Sequence, residues 1–189
     1  AVSFRTMSGK MKEENTIKAN AMVQIAINLA LQSDAPKYDK RKLEEVVAYI
    51  LTLTLEHDNI CIQLKKAFAQ AGVVFVVLPD LPGSKIIGAT KRLGKHVLLM
   101  VSDRNFYSDT FWFTLFHEIG HIMNGDFGIS IDGEDKEDYA NRFAEDKLVP
   151  PDMYELFLEK NQFTEESIRE FADSIHRDPG IVLGRLLCD

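Results

Sequence analysis

Apolar positions along this chain follow two periods, and the change from one to the other locates the elements. From about Thr16 to Leu31, Ile17, Met22, Ile25, Ala26 and Leu29 recur at helical spacing, and Ser33-Asp34-Ala35-Pro36 stops the run. A second helix is predicted from about Asp39 to Leu55, with Leu43, Val46, Val47, Ile50 and Leu53 on its buried face. A third, capped by Asp58 or Asn59, carries Ile62, Leu64, Phe68 and Ala69 and ends at Gly72. Residues 1–14, ahead of these helices, are polar and read as a linker.

Beyond Gly72 the period shortens. Val73 to Leu78 is a β-branched run between Gly72 and Pro79, a strand signal. Pro79 to Ser84 is loop, and Ile86 to Thr90 and His96 to Ser102 are two further strands, joined through Lys91 to Lys95 by a hairpin with Gly94 in its turn. Helical spacing then returns. One helix, with Asp109 as its N-cap, runs to about Met123 and ends near Gly125, and the Gly- and Asp-rich residues 125–133 read as loop. Further helices are predicted over about Glu134 to Leu148, Met153 to Lys160 and Thr164 to Ile175, with a last one closing the chain around Pro179 to Leu186. The expected class is α+β: a small, mostly antiparallel three-stranded sheet packed with one central helix and several others. The expected division is a linker at 1–14, an N-terminal helical region at 15–71 and a second region at 72–189.

Composition narrows the function classes. Of 189 residues 46% are hydrophobic and 27% charged, enough for a packed core. The formal charge of -7 argues against nucleic-acid binding by this piece alone, because phosphate contacts need clustered Lys and Arg. No apolar run approaches the roughly eighteen residues of a membrane span, and no secretory leader is visible. Cys61 and Cys188 lack metal-ligand spacing and read as reduced thiols, so a cytoplasmic protein is expected. The opening Ala1-Val2-Ser3-Phe4, without an initiator methionine, hints at a piece of a longer protein.

The chemistry concentrates in Phe116-His117-Glu118-Ile119-Gly120-His121-Ile122. On a helix, His117 and His121 share a face one turn apart, where two neutral imidazoles reach one small cation at about 2.0–2.1 Å. Glu118, one residue round, lies beside that cation and is placed to take a proton from an activated water. The pattern arises by chance in on the order of one chain per hundred of this size, so its context has to carry the reading. That context is a helix apolar nearly all round, with Trp112, Leu115, Phe116, Ile119 and Ile122 on one side and Phe113, His117, Gly120 and His121 on the other.

The helix that follows supplies the remaining candidates. Glu137, Ala140, Asn141, Ala144 and Leu148 fall on one face, whose small residues let another helix come close. Glu137 is the expected third zinc ligand, with Glu134 the alternative. Asn141 is expected behind the ligands, its side-chain oxygen accepting an imidazole N–H and fixing the tautomer.

Three stretches together resemble the ImmA/IrrE family of metallopeptidases: Phe111 to His121, Glu137-Asp138-Tyr139-Ala140-Asn141-Arg142-Phe143-Ala144, and Leu148-Val149-Pro150. The closing Gly180-Ile181-Val182-Leu183-Gly184-Arg185-Leu186 is similar to the subset fused to an N-terminal helix-turn-helix, antitoxin-like regulators of the HigA type. The resemblance covers residues 70–189 well and the earlier helices more loosely. It implies a zincin-like minimal metallopeptidase core, zinc held by His117, His121 and Glu137, and Glu118 as general base. The implied substrate is a protein, commonly a repressor or regulator of mobile-element, stress or toxin genes. Tyr139 stands where family members often carry a second Glu, and no helix-turn-helix is visible in residues 1–60, so a DNA-binding module would lie outside this chain.

A hydrolase also needs a donor for the developing oxyanion. His176, Tyr139 and Tyr154 are the candidates, although nothing in the sequence places them near the metal. His96 is a candidate for the cleft edge, and a peptide substrate is expected to add as a strand to His96–Ser102 or Ile86–Thr90. The rival expectation is a non-catalytic sensor or interaction domain of an antitoxin-type transcription regulator, binding a toxin, peptide or small ligand. A closed structural zinc site is disfavoured, since three protein ligands leave a position open.

Overall fold

A computed structural model describes residues 13–56, 58–103, 108–131 and 138–188. In chain order these form α1 (Glu13–Leu31), α2 (Lys40–Thr52) with a 3-10 turn at Leu53–Leu55, α3 (Ile60–Gln70), β1 (Val73–Leu78), β2 (Ile86–Leu93) and β3 (His96–Ser102). They continue with α4 (Ser108–Asn124), β4 (Ile129–Ile131), α5 (Asp138–Leu148), α6 (Pro151–Glu159), α7 (Glu165–Ser174) and α8 (Pro179–Cys188). The class is α+β.

The sheet differs from the expected one in size and sense. It has four strands in the order β1-β3-β2-β4, with β1 parallel to β3 and the other pairs antiparallel. The hairpin through Gly94 returns β3 into the gap between β1 and β2, so β3 runs alongside β1 in the same direction. The missed strand, Ile129-Ser130-Ile131, is three residues long in a stretch otherwise rich in Gly and Asp. It carries too few residues to show a period, and only pairing with β2 makes it a strand. These positions also correct the expected docking edge. β3 is central and β2 lies between β3 and β4, so among the described residues the outermost strands are β1 and β4.

Every residue of β3 is buried, as a central strand covered on both faces should be. Its side chains alternate between two cores. Val97, Leu99 and Val101 join α2, α3, α4 and the C-terminal helices. Leu98 and Met100 join α1 together with Ile86, Ala89 and Ile129. The helical region at 15–71 is thus shared between the two faces of one sheet.

Helix α1 lies on the second face through Ala19, Met22, Val23, Ala26, Ile27 and Ala30. The expected face is only partly right, because Ile17, Ile25 and Leu29 are exposed. Residues 19–33 contain no charged side chain, so the sequence does not mark a solvent side. The row of alanines lets the backbone approach the sheet and decides the rotation.

Local signals hold the other helices. Asp39 caps α2, its Oδ1 accepting from the backbone N–H of Arg41 at 2.9 Å and of Lys42 at 3.2 Å. Thr164 caps α7 in the same way, accepting from Ser167 at 3.2 Å. The Arg177 guanidinium donates to the carbonyls of Leu148, Ile175 and His176, tying the ends of α5 and α7 together. No helix among the described residues is long and apolar enough to cross a membrane. Cys61 and Cys188 are both free thiols, and burial pushes the Cys61 pKa up.

Candidate metal centre

Helix α4 is buried on almost every side. Trp112, Leu115, Phe116, Ile119 and Ile122 enter the large core. Asp109 falls in its first turn rather than at the cap, where its charge still suits the helix N-terminus. On the opposite side α4 meets α5 closely. A Cβ placed on Gly120 would stand 3.0 Å from the Ala140 Cα and 3.2 Å from the Phe143 Cβ, so glycine suits this close approach. Ala140 and Ala144 keep the facing surface low. The short distance brings Asn141 onto His117, whose Nδ1–H donates to Asn141 Oδ1 at 2.8 Å.

The second imidazole is oriented by the end of its own helix. Gly125 takes a left-handed conformation (φ 74°), its N–H bonds the Ile122 carbonyl at 3.1 Å, and the N–H of Asp126 returns to the His121 carbonyl at 2.9 Å. This is the Schellman arrangement, and glycine suits the reversal because it has no Cβ to strain. The turn folds the Asp126 carboxylate back to 3.3 Å from His121 Nδ1. Asp126 was not foreseen from the sequence. The signal that would have found it is Gly125, which puts the next residue beside the ring three positions before Asn124.

The Nε2 atoms of the two rings face one another 3.0 Å apart, at an interplanar angle of 78°, with Asn141 Oδ1 and Asp126 Oδ2 beside their respective Nδ1 atoms. In the tautomer with the proton on each Nδ1, two Nε2 lone pairs would face one another, and a cation between them would turn that repulsion into attraction. Bonds of about 2.0–2.1 Å from each nitrogen span this separation, so the imidazoles fit a small divalent ion such as zinc.

Glu118 is fully buried beside the pair. Its room comes from Gly88 on β2, where an added Cβ would fall within 2.3 Å of Glu118 Oε1 and 2.6 Å of its Cδ. Gly88 was also missed, although a glycine inside a strand often marks a close approach.

The other candidates divide. Glu137 and Glu134 lie outside the described residues, and among those described no group of three or more His, Cys, Asp and Glu is placed to hold a metal. Tyr139 opens α5 as an exposed side chain stacked 6.5 Å from Phe143. His176 is exposed in a left-handed conformation just beyond α7. Two candidates lie in packed surroundings. Tyr154 is buried among Phe157 and Phe171 with the Arg185 guanidinium over its ring, in the core of the C-terminal helices. His96 donates from Nδ1 to the Pro36 carbonyl at 2.9 Å. It pairs with Leu93, five positions along β2 from Gly88 and so about 17 Å from the Glu118 contact.

No family model matches this chain, and no curated protein matches it at a significant level.

Proposed function

We propose that this chain is a zinc-dependent metallo-endopeptidase domain of the ImmA/IrrE kind, with a zincin-like core, acting on a protein such as a repressor or regulator. The observation that carries the reading is the convergence of the two Nε2 atoms at 3.0 Å, each ring turned by an oxygen on its far side. His117 and His121 would hold the ion, with Glu137 as the third ligand. A zinc ion held there would supply Lewis acidity towards the scissile carbonyl and the attacking water.

The chain's own groups do the rest. Glu118 takes the proton of that water and later hands it to the leaving amine. Its burial against the β2 backbone at Gly88 limits its conformers and keeps bulk water away. Asn141 and Asp126 hold the two imidazoles in the tautomer that presents Nε2. The test is metal analysis of the purified protein, expected at about one zinc per chain, followed by incubation with the products of neighbouring genes. A single discrete cut in one of them is expected.

A second reading is a non-catalytic interaction domain of an antitoxin-type regulator. It is favoured by α1, whose outward side carries Ile17, Ile25 and Leu29 with no charge between residues 19 and 33. Charge depletion around apolar side chains is the mark of a surface that meets another protein. An intact neighbour held in a stable complex would favour this reading over proteolysis.

A further inference from the structure

Helix α4 carries a second feature one turn before the His pair. Between α4, the end of α5 and α8 lies a cavity of about 220 Å³, open to solvent and walled chiefly by Phe113, Leu148, Val149 and Ile181. It is a braced space rather than a packing fault. Arg185 on α8 donates to Glu145 on α5 at 2.6 Å while its guanidinium covers Tyr154, which holds the two helices apart at a set distance. At the other end Gly184 lets α8 close on α4, where a Cβ would meet Asp109 Cβ at 3.1 Å. An open apolar concavity of fixed shape is the common form of a pocket for an apolar group.

What should occupy it follows from its neighbour. The Phe113 ring that forms one wall stands 6.2 Å, centroid to centroid, from the His117 ring on the same helix. An extended polypeptide advances about 3.3 Å per residue, so a chain with a carbonyl at the His pair would bring a neighbouring side chain past Phe113 towards the cavity. We propose that this cavity receives a bulky apolar side chain, of the Phe, Leu or Met kind, next to the bond presented to His117 and His121. The inference rests on the peptidase reading and narrows its substrate to polypeptides with such a residue beside the cut.

Cys188 lines the cavity and is exposed, which supplies a probe that leaves the fold intact. In a Cys61→Ser background, alkylation of Cys188 by N-ethylmaleimide is followed on zinc-free protein with two capped tripeptides, acetyl-Ala-Phe-Ala-amide and acetyl-Ala-Ala-Ala-amide. The Phe peptide should slow alkylation about threefold when present at twice its Kd, and the Ala peptide should leave the rate unchanged. Equal rates with both peptides overturn the proposal, and so does equal protection by free indole, which would make the cavity a site for small aromatic molecules. On zinc-loaded protein, a mixed peptide pool should be cut beside Phe, Leu or Met, and alkylated protein should lose that preference. Cleavage with an unaltered preference after alkylation also overturns it. Protection by the Phe peptide without any cleavage would instead keep the pocket and remove the peptidase reading.

Discussion

Among the described residues two regions bury histidines, and they arrange them differently. At the start of β3, His96 is 8% exposed and donates from Nδ1 to a backbone carbonyl, that of Pro36. On α4, His117 and His121 are 6% and 2% exposed and direct their Nδ1–H groups at side-chain oxygens of Asn141 and Asp126. Burial and a satisfied Nδ1 are common to all three, so neither separates a structural imidazole from a ligand. What separates them is the second nitrogen. On α4 two Nε2 atoms approach to 3.0 Å with a buried carboxylate next in sequence, the arrangement on which the proposed metal site rests. His96 ties the segment before α2 to the sheet.

The largest expected effect tests the α4 region alone. Glu118→Gln should retain zinc and lower cleavage of the target by about 10²–10⁴-fold, the range of a general base. Cleavage at the parent's rate would end the assignment of that residue.

Next come the two proposed ligands. His117→Ala and His121→Ala should each lose zinc on dialysis, as read by metal analysis. His96→Ala should keep zinc at the parent's level and instead lose about 1–3 kcal/mol in denaturant unfolding, the cost of stripping a buried carbonyl of its donor. Zinc loss in the His96 variant would erase the distinction between the two regions.

A smaller effect is expected from the residues behind the imidazoles. Asn141→Ala should weaken zinc binding about 10–100-fold in competition titrations. Asp126→Asn should weaken it less, because the Asp126 side chain is half exposed and its contact is longer, at 3.3 Å.

The last concerns Gly88. Gly88→Ala should destabilise the fold by about 1–3 kcal/mol through contact with the Glu118 carboxylate. That cost should vanish in a Glu118→Ala background, and an unchanged cost there would show that Gly88 serves the backbone rather than the carboxylate.

Much of this was legible in the sequence, and the boundary falls where local periodicity stops. Helical spacing located all eight described helices, and the cap at Thr164 could be read because a cap acts within one turn of its own helix, whereas Asn59, at the start of α3, makes no side-chain cap bond. The same short-range geometry puts His117 and His121 on one face and turns Ala140, Asn141 and Ala144 together towards α4. Tertiary structure decided what depends on distant segments meeting. Strand β4 exists because β2 offers it hydrogen bonds, and α1 buries its alanines rather than Ile17, Ile25 and Leu29 because the sheet admits the flatter side. Tyr154 is packed into the large core and His96 is tied to the Pro36 carbonyl, since a polar tip on a largely apolar body is as readily packed as presented. Gly88 acquires meaning only when β2 lies against Glu118, thirty positions later in the chain. A turn's geometry is set by the backbone within a few residues, but the side that a helix buries is set by the sum of contacts offered from elsewhere.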